Sequence, residues 1–207
     1  MNKHQQTLLI ATSNAGKAGE YKKQLQDLPL TLVSLADIGL SSIEETGKTF
    51  EENARLKARA YAEQSGLPCI ADDGGLEIDF LHGEPGVRSR RWKTGDENVT
   101  DQELADFTIA QMQGVPDDKR AARFRMAMVF VDAKGAEHVV EESCEGLVPH
   151  AASLTVPHGL PFNAVLYIPQ FNKIRSELSL EEHEVVNQRT LAIKKLKPII
   201  VAALLCG

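Results

Sequence analysis

Pro68-Cys69-Ile70-Ala71-Asp72-Asp73-Gly74-Gly75-Leu76-Glu77-Ile78-Asp79-Phe80 is the stretch on which the fold turns. Pro68 to Ala71 is a short apolar run of the kind that forms a buried strand, and Leu76 to Phe80 alternates as its continuation. Two adjacent acids and two glycines interrupt it. The expectation is a strand that ends at Asp72-Asp73, where ligands of α/β sheets commonly bind, because two carboxylates near a core would otherwise repel each other.

Upstream, Leu8 to Ala11 is a second apolar run that stops at Thr12-Ser13-Asn14-Ala15-Gly16-Lys17, after which Glu20 to Leu25 reads as a helix. Leu30 to Leu35 alternates as a strand, and Ser41 to Lys48 is a polar loop around Glu44, Glu45 and Gly47. Thr49 with Glu52 fits a capping box, followed by Phe50, Ala54, Ala58 and Tyr61 at helical spacing up to Gly66. Downstream, Asp101 to Gln113 reads as a helix. Phe124 to Val131 and Glu137 to Val148 read as paired antiparallel strands turning at Asp132-Ala133-Lys134-Gly135. Ala164 to Ile168 is a further short strand, and Leu180 to Leu205 a closing helix bent near Pro198. Alternating strands and helices make the chain α/β. With no repeat or linker, residues 1–207 form one domain.

The 207 residues are 43% hydrophobic and 25% charged, enough to bury a core. A net charge of −6 excludes broad binding to a nucleic-acid polymer or an anionic membrane, both of which call for a basic surface. Cys69, Cys144 and Cys206 are odd in number and lack metal-ligand spacing, which points to reduced thiols in a cytoplasmic protein. The apolar run near the start is too short for a signal peptide or a membrane span.

Three constellations can carry chemistry. Thr12 to Lys17, between strand and helix, offers backbone N–H groups and a helix's positive end to an anion. Residue type alone fits either a phosphate cradle or a helix capped by Ser or Asn. Walker spacing is absent. Glu44-Glu45 and Asp72-Asp73 are two carboxylate pairs able to hold Mg²⁺, which is commonly shared with substrate phosphates, and one of them can take a proton from an attacking water. Lys17, Lys57, Arg88, Arg90, Arg91 and Arg189 are cations that match a triphosphate if the fold gathers some of them. Asn53 and Lys57 lie one helical turn apart, so Lys57 points toward whatever Asn53 borders, although a single lysine is ordinarily solvated. Trp92 and the histidines fit packing and surface roles.

Taken in order, Thr12 to Lys17, Glu44-Glu45-Thr46-Gly47-x-Thr49-Phe50-x-Glu52-Asn53-Ala54-x-x-Lys57-Ala58, Ala71-Asp72-Asp73-Gly74-Gly75-Leu76 and Pro85-Gly86-Val87 resemble the inosine triphosphate pyrophosphatase family, also called Ham1 or RdgB. The resemblance covers nearly the whole chain. It implies an elongated mixed α/β sheet flanked by helices, in two lobes with a central cleft that holds the site, and a homodimer. It implies removal of deaminated purine triphosphates such as ITP, dITP and XTP as monophosphate and pyrophosphate. By the same resemblance Thr12, Ser13, Asn14, Ala15, Gly16 and Lys17 cradle the phosphates and Lys57 contacts them. Glu45 and Asp73 match Mg²⁺ ligands, and Asp73 also matches the general base. Gly74 stands beside the substrate in place of the family's Ser or Thr, and Arg90 aligns with a phosphate-side position.

The second half departs from that pattern. Gly159-Leu160-Pro161-Phe162-Asn163-Ala164 replaces Gly-Phe-Gly-Tyr-Asp-Pro, so Leu160 stands where an aromatic would stack on the base and Asn163 where an Asp would sit. Glu181-Glu182-His183-Glu184-Val185-Val186-Asn187-Gln188-Arg189 replaces Glu-Glu-Lys-Asn-x-x-Ser-His-Arg, keeping the leading acids and Arg189. A lysine or arginine only donates, and so rejects adenine's amino group, whereas Gln188 and neutral His183 donate or accept. The substitutions imply altered base discrimination. The sequence reading also admits a nucleotide-binding protein without turnover, or a house-cleaning enzyme for pyrimidine or other modified triphosphates, as in the Maf group.

Overall fold

The computed structural model describes residues 6–95 and 99–205, and the side chains of Ala15 and Arg90 fall outside that description, as do His4 and Cys206. The elements are β1 (Gln6–Ile10), α1 (Ala15–Leu25), β2 (Leu30–Ser34), α2 (Phe50–Ser65), β3 (Cys69–Ile78), α3 (Asp101–Gln111), β4 (Ala121–Val131), β5 (Glu137–Leu147), β6 (Tyr167–Ile168), β7 (Lys173–Ile174), α4 (Leu180–Val186) and α5 (Gln188–Leu205). One mixed sheet runs in the order β2-β1-β3-β4-β5-β6-β7. β1 pairs parallel with β2, Leu8 opposite Leu32, and with β3, Ile10 opposite Ile70. β6 pairs antiparallel with β5 and β7. Among the described residues no helix is long and apolar enough to cross a membrane.

The chain divides into two compact units: 1–73 with 126–142 and 188–207, and 74–125 with 143–187. The first has its own core, in which Leu8, Ile10 and Ile70 of the parallel strands meet Tyr21 and Leu25 of α1 and Ile193, Leu196 and Ile200 of α5. Parallel strands covered on both faces need continuous apolar runs, which is what Leu8-Leu9-Ile10 supplies. The second unit buries Leu76, Ile78, Phe124, Val165 and Leu166 with Ala105 of α3. Trp92 packs edge-on against Phe107, their ring centroids 5.1 Å apart, in keeping with a packing role.

α2 starts and stops where the sequence says. The Thr49 hydroxyl accepts from the Glu52 N–H, and Gly66, at φ 67°, closes the helix by donating to Ala62 O. The capping box is incomplete: the Glu52 carboxylate accepts from the Lys48 N–H, 2.6 Å away. The hairpin between β4 and β5 also stands, its turn fixed by the Asp132 carboxylate accepting from Lys134 and Ala136 N–H.

Three expectations are corrected. β3 runs unbroken through Asp72-Asp73-Gly74-Gly75, so both acids are mid-strand, not at a strand end. Ala164 to Ile168 is mostly the end of a 3₁₀ turn, Pro161–Val165, with only Tyr167–Ile168 in the sheet. The closing helix is two helices parted at buried Asn187, whose extended backbone (φ −71°, ψ 107°) ends α4; Pro198 lies inside α5.

Candidate active site

The inner face of α2 repeats as Phe50, Asn53, Ala54, Lys57, Ala58 and Tyr61, all buried. Two of these six are strongly polar, which an apolar helix face tolerates only when partners await them. Asn53 is the first. Its Oδ1 accepts from the Gly47 N–H at 2.7 Å, and its Nδ2 donates to Asp73 Oδ2 at 2.9 Å. A Cβ on Gly47 would lie 2.5 Å from Asn53 Oδ1 and 2.8 Å from its N, so only glycine permits this docking. Tyr61 holds the same loop further back, its hydroxyl accepting from Ile43 N–H and donating to Ser41 O. The acidic loop is thereby pinned to α2 at two points, and Glu45 reaches Lys57. The Lys57 ammonium is 3.0 Å from Glu45 Oε1 and 3.8 Å from Asp73 Oδ1. Lys57 is only 9% exposed, which removes the surface-lysine alternative.

Asp72 faces the other way, as alternation along a strand requires. Its Oδ1 accepts from the Tyr21 hydroxyl at 2.8 Å, while its Oδ2 accepts from Lys17 Nζ at 3.0 Å and Arg189 Nη2 at 3.3 Å. Arg189 Nη1 also donates to Glu20 Oε2 at 2.5 Å. The repulsion expected between the neighbouring acids is relieved because each has its own cations on its own face of β3.

At the start of α1 the capping reading holds: Asn14 Oδ1 accepts from the Lys17 N–H and Thr12 Oγ1 from the Asn14 N–H. Ala15 and Gly16 occupy the first helical positions, whose N–H groups have no acceptor one turn back. Ser13, Asn14 and Gly16 are exposed and Thr12 is half-buried, so the loop faces solvent. The side-chain cap leaves the Ala15 and Gly16 N–H groups open toward an anion.

Electrostatics separate the two acids. Burial alone would raise the Asp72 carboxyl, but Lys17, Arg189, Lys57 and the Tyr21 hydrogen bond outweigh it and keep Asp72 ionised, well below the usual carboxylate range. Asp73 is pushed up, first by burial and then by Glu45, against the partial offset of Lys57 and Asn53. For Lys57 burial opposes the charge, yet Asp73, Glu45 and Asp72 prevail and hold it protonated. The Tyr21 hydroxyl, raised by burial and by Asp72, keeps its proton. Lys17, Lys57 and Arg189 thus face Glu20, Glu45, Asp72 and Asp73: three cations against four carboxylates.

A cluster with that balance cannot by itself neutralise a polyphosphate. Glu45 and Asp73 already converge on one cation, the Lys57 ammonium, and both offer hard oxygen donors, so the pair fits a hard divalent ion. Among the described residues no three His, Cys, Asp or Glu side chains form a ready-made metal cage. Two carboxylates completed by water and phosphate is the arrangement Mg²⁺ usually takes.

The Ham1 family model matches residues 8–199. The chain belongs to the Ham1 family. It is 39% identical over 193 residues to the dITP/XTP pyrophosphatase of Salmonella typhimurium, covering 92% of this chain and 96% of that one, and 38% identical to the Escherichia coli K12 enzyme of the same name over the same shares. A HAM1 protein structure from Coxiella burnetii superposes with a TM-score of 0.85 at 29% identity, covering 96% of this chain and 100% of that one. The nucleoside-triphosphatase / dITP/XTP pyrophosphatase structure from Mycobacterium abscessus gives 0.76 at 33%, covering 93% and 99%.

Of the residues the Ham1 resemblance singles out, Lys17, Glu45, Lys57, Asp73 and Arg189 belong to the first unit and meet around β3, and Gln188 precedes Arg189 at the start of α5. Gly74 follows Asp73 in β3, the first residue of the second unit. Leu160 is 51% exposed, Pro161 and Phe162 are buried, and Asn163 is half-buried in the turn that follows it. Asp101 anchors this segment by accepting from the Gly159 N–H at 2.7 Å. His183 lies in α4, 3.5 Å from Asn187 Nδ2. The Arg90 side chain lies outside the described residues. Sequence reasoning gave Glu20 and Tyr21 no role; the available signal was that Lys17 and Tyr21 stand four apart on one helix face.

Proposed function

We propose that this Ham1-family chain is a Mg²⁺-dependent nucleoside triphosphate pyrophosphatase. Its substrates are non-standard purine nucleotides such as dITP, XTP and ITP, which it hydrolyses to monophosphate and pyrophosphate. The observation that carries the reading is the placing of Lys57 between Glu45 and Asp73 on one face of β3, with Lys17 and Arg189 gathered on Asp72 at the other. The names of the relatives agree with it.

In this reading Thr12, Ser13, Asn14, Ala15, Gly16 and Lys17 receive the phosphates, and Lys57 contacts them. Glu45 and Asp73 would hold Mg²⁺, which would supply charge neutralisation at the phosphates and a lowered pKa for the attacking water. Asp73, steadied by the Asn53 amide donating to its Oδ2, takes the proton of the water that attacks near the α-phosphorus. Pyrophosphate leaves with its charge met by the lysines. Gly74 and Arg90 border the substrate, Leu160, Pro161, Phe162, Asn163, His183 and Gln188 form the base side, and Arg189 joins Lys17 at the phosphates. On the base side Leu160 offers no ring for stacking, Asn163 and His183 replace a fixed acceptor and a fixed donor with groups that do both, and Gln188 replaces a histidine, which relaxes discrimination against 6-amino purines. The enzyme works in the cytoplasm as a homodimer.

The test is a panel of dITP, ITP, XTP, dUTP, ATP and GTP with Mg²⁺, scored for pyrophosphate against orthophosphate. The expected result is pyrophosphate as product, with 6-keto purines ahead by a margin smaller than about 100-fold, the scale on which a site rejects groups it does not firmly hydrogen-bond. No pyrophosphate from any member refutes the reading.

A further inference from the structure

The cations on Asp72 owe their arrangement to a group that the proposed reaction does not touch. Tyr21 is 1% exposed, in the apolar core of its unit, and its hydroxyl donates to Asp72 Oδ1. Both cations go to the other oxygen, Lys17 at 3.0 Å and Arg189 at 3.3 Å from Oδ2. A carboxylate has two oxygens with about four lone-pair sites, and two cations left to themselves would spread over both. The Tyr21 hydroxyl holds Oδ1, so Oδ2 becomes the shared acceptor and the cations come together. α1 delivers both parts of the device, since Lys17 and Tyr21 are one helical turn apart on the same face. The Tyr21 ring is fixed by packing, and the Asp72 side chain is only 2% exposed, so losing the hydroxyl leaves a buried carboxylate oxygen short of a donor.

We propose that Tyr21 is a positioning residue for the phosphate grip: its hydroxyl aims Asp72 so that Lys17 and Arg189 are presented as a pair to the phosphates of the substrate. The inference rests on the proposed phosphate role of those two cations. It concerns the phosphate end alone, so the base of the substrate does not enter.

Tyr21→Phe keeps the ring and deletes the donor. The probe is inorganic pyrophosphate with Mg²⁺, titrated calorimetrically, alongside dITP kinetics. The Kd for pyrophosphate is expected to rise about tenfold, the scale of one hydrogen bond to a charged group. KM for dITP should rise by the same factor with kcat within about twofold, because ground and transition states lose the grip equally. Thr108→Val serves as the stability control: it deletes another fully buried hydroxyl, bonded to Leu104 O at 2.7 Å in α3, and should lower the melting temperature without moving either constant. Unchanged Kd and KM in Tyr21→Phe overturn the inference and leave the pyrophosphatase reading standing. An equal rise in Thr108→Val overturns it as well, by assigning the effect to stability. A wild-type chain that binds no pyrophosphate removes its premise and overturns it. Pyrophosphate binding that weakens in Tyr21→Phe, in a protein that hydrolyses no triphosphate, upholds the inference and refutes the enzymatic reading.

Discussion

Arg120 and Lys57 are both buried cations, one in each unit, and their partners are of opposite kinds. Arg120, 4% exposed, donates to four main-chain carbonyls: Val148 at 2.6 Å, Pro149 at 2.7 Å, Met112 at 2.8 Å and Val115 at 3.2 Å. It ties the segment after α3 to the end of β5, and every acceptor is a permanent part of the backbone. Lys57 is held by Glu45 and Asp73, carboxylates with lone pairs to spare and a charge that an incoming metal or phosphate can re-pair. A cation bound by carbonyls is committed to the fold, while one bound by acids is available for chemistry. Burial alone does not tell the two apart; the acceptor does.

The sharpest way to break this comparison is to remove Arg120. Arg120→Met leaves four carbonyls short of a donor in a buried place, and the expected cost is about 3 kcal/mol of unfolding free energy, measured by denaturant titration. Below the unfolding transition its kcat/KM should stay within about twofold of wild type. Stability equal to wild type would show that water or a neighbour replaces the bracket.

A smaller effect separates an exposed charge from the buried ones. Glu103 completes the capping box of α3, accepting from the Thr100 N–H and hydroxyl and from Lys93, and these bonds pull its carboxyl down to about 2. A carboxyl lowered in the folded state stabilises fully above its ordinary value, about 4.3, and loses that contribution as pH falls through the folded value. The stability gap between wild type and Glu103→Gln should be present at pH 7, shrink below pH 4 and close near pH 2. A gap independent of pH would place the effect in packing instead of charge.

What was legible in the sequence followed from local chemistry. Thr49, Gly66 and the apolar spacing of α2 mark that helix because caps and periodicity are written within a few residues. Thr12 to Lys17, Glu45 and Asp73 stood out through their family pattern. β3 was misread because Asp and Gly are poor strand formers, and only Lys17, Tyr21, Asn53, Lys57 and Arg189, brought from three helices, make carboxylates tolerable mid-strand. The break at Asn187 carried no glycine or proline to announce it. By residue type alone Lys57 looked like any surface lysine, and its burial came from Glu45, twelve residues earlier, and Asp73, sixteen later, meeting at its ammonium. Tyr21 was silent because a tyrosine four residues after a lysine in an amphipathic helix is ordinary; what makes it unusual is a carboxylate on another strand.

Asp73→Asn tests the central claim most directly, with pyrophosphate release from dITP and Mg²⁺ followed beside thermal unfolding. Burial first and then Glu45 raise the Asp73 carboxyl, so the neutral amide relieves a desolvation cost and a repulsion, and without Mg²⁺ the melting temperature should be unchanged or higher. The rate should fall by at least about 100-fold, the scale of losing a general base. An Asp73→Asn protein that releases pyrophosphate at the wild-type rate would contradict the assignment of this cluster as the hydrolytic centre.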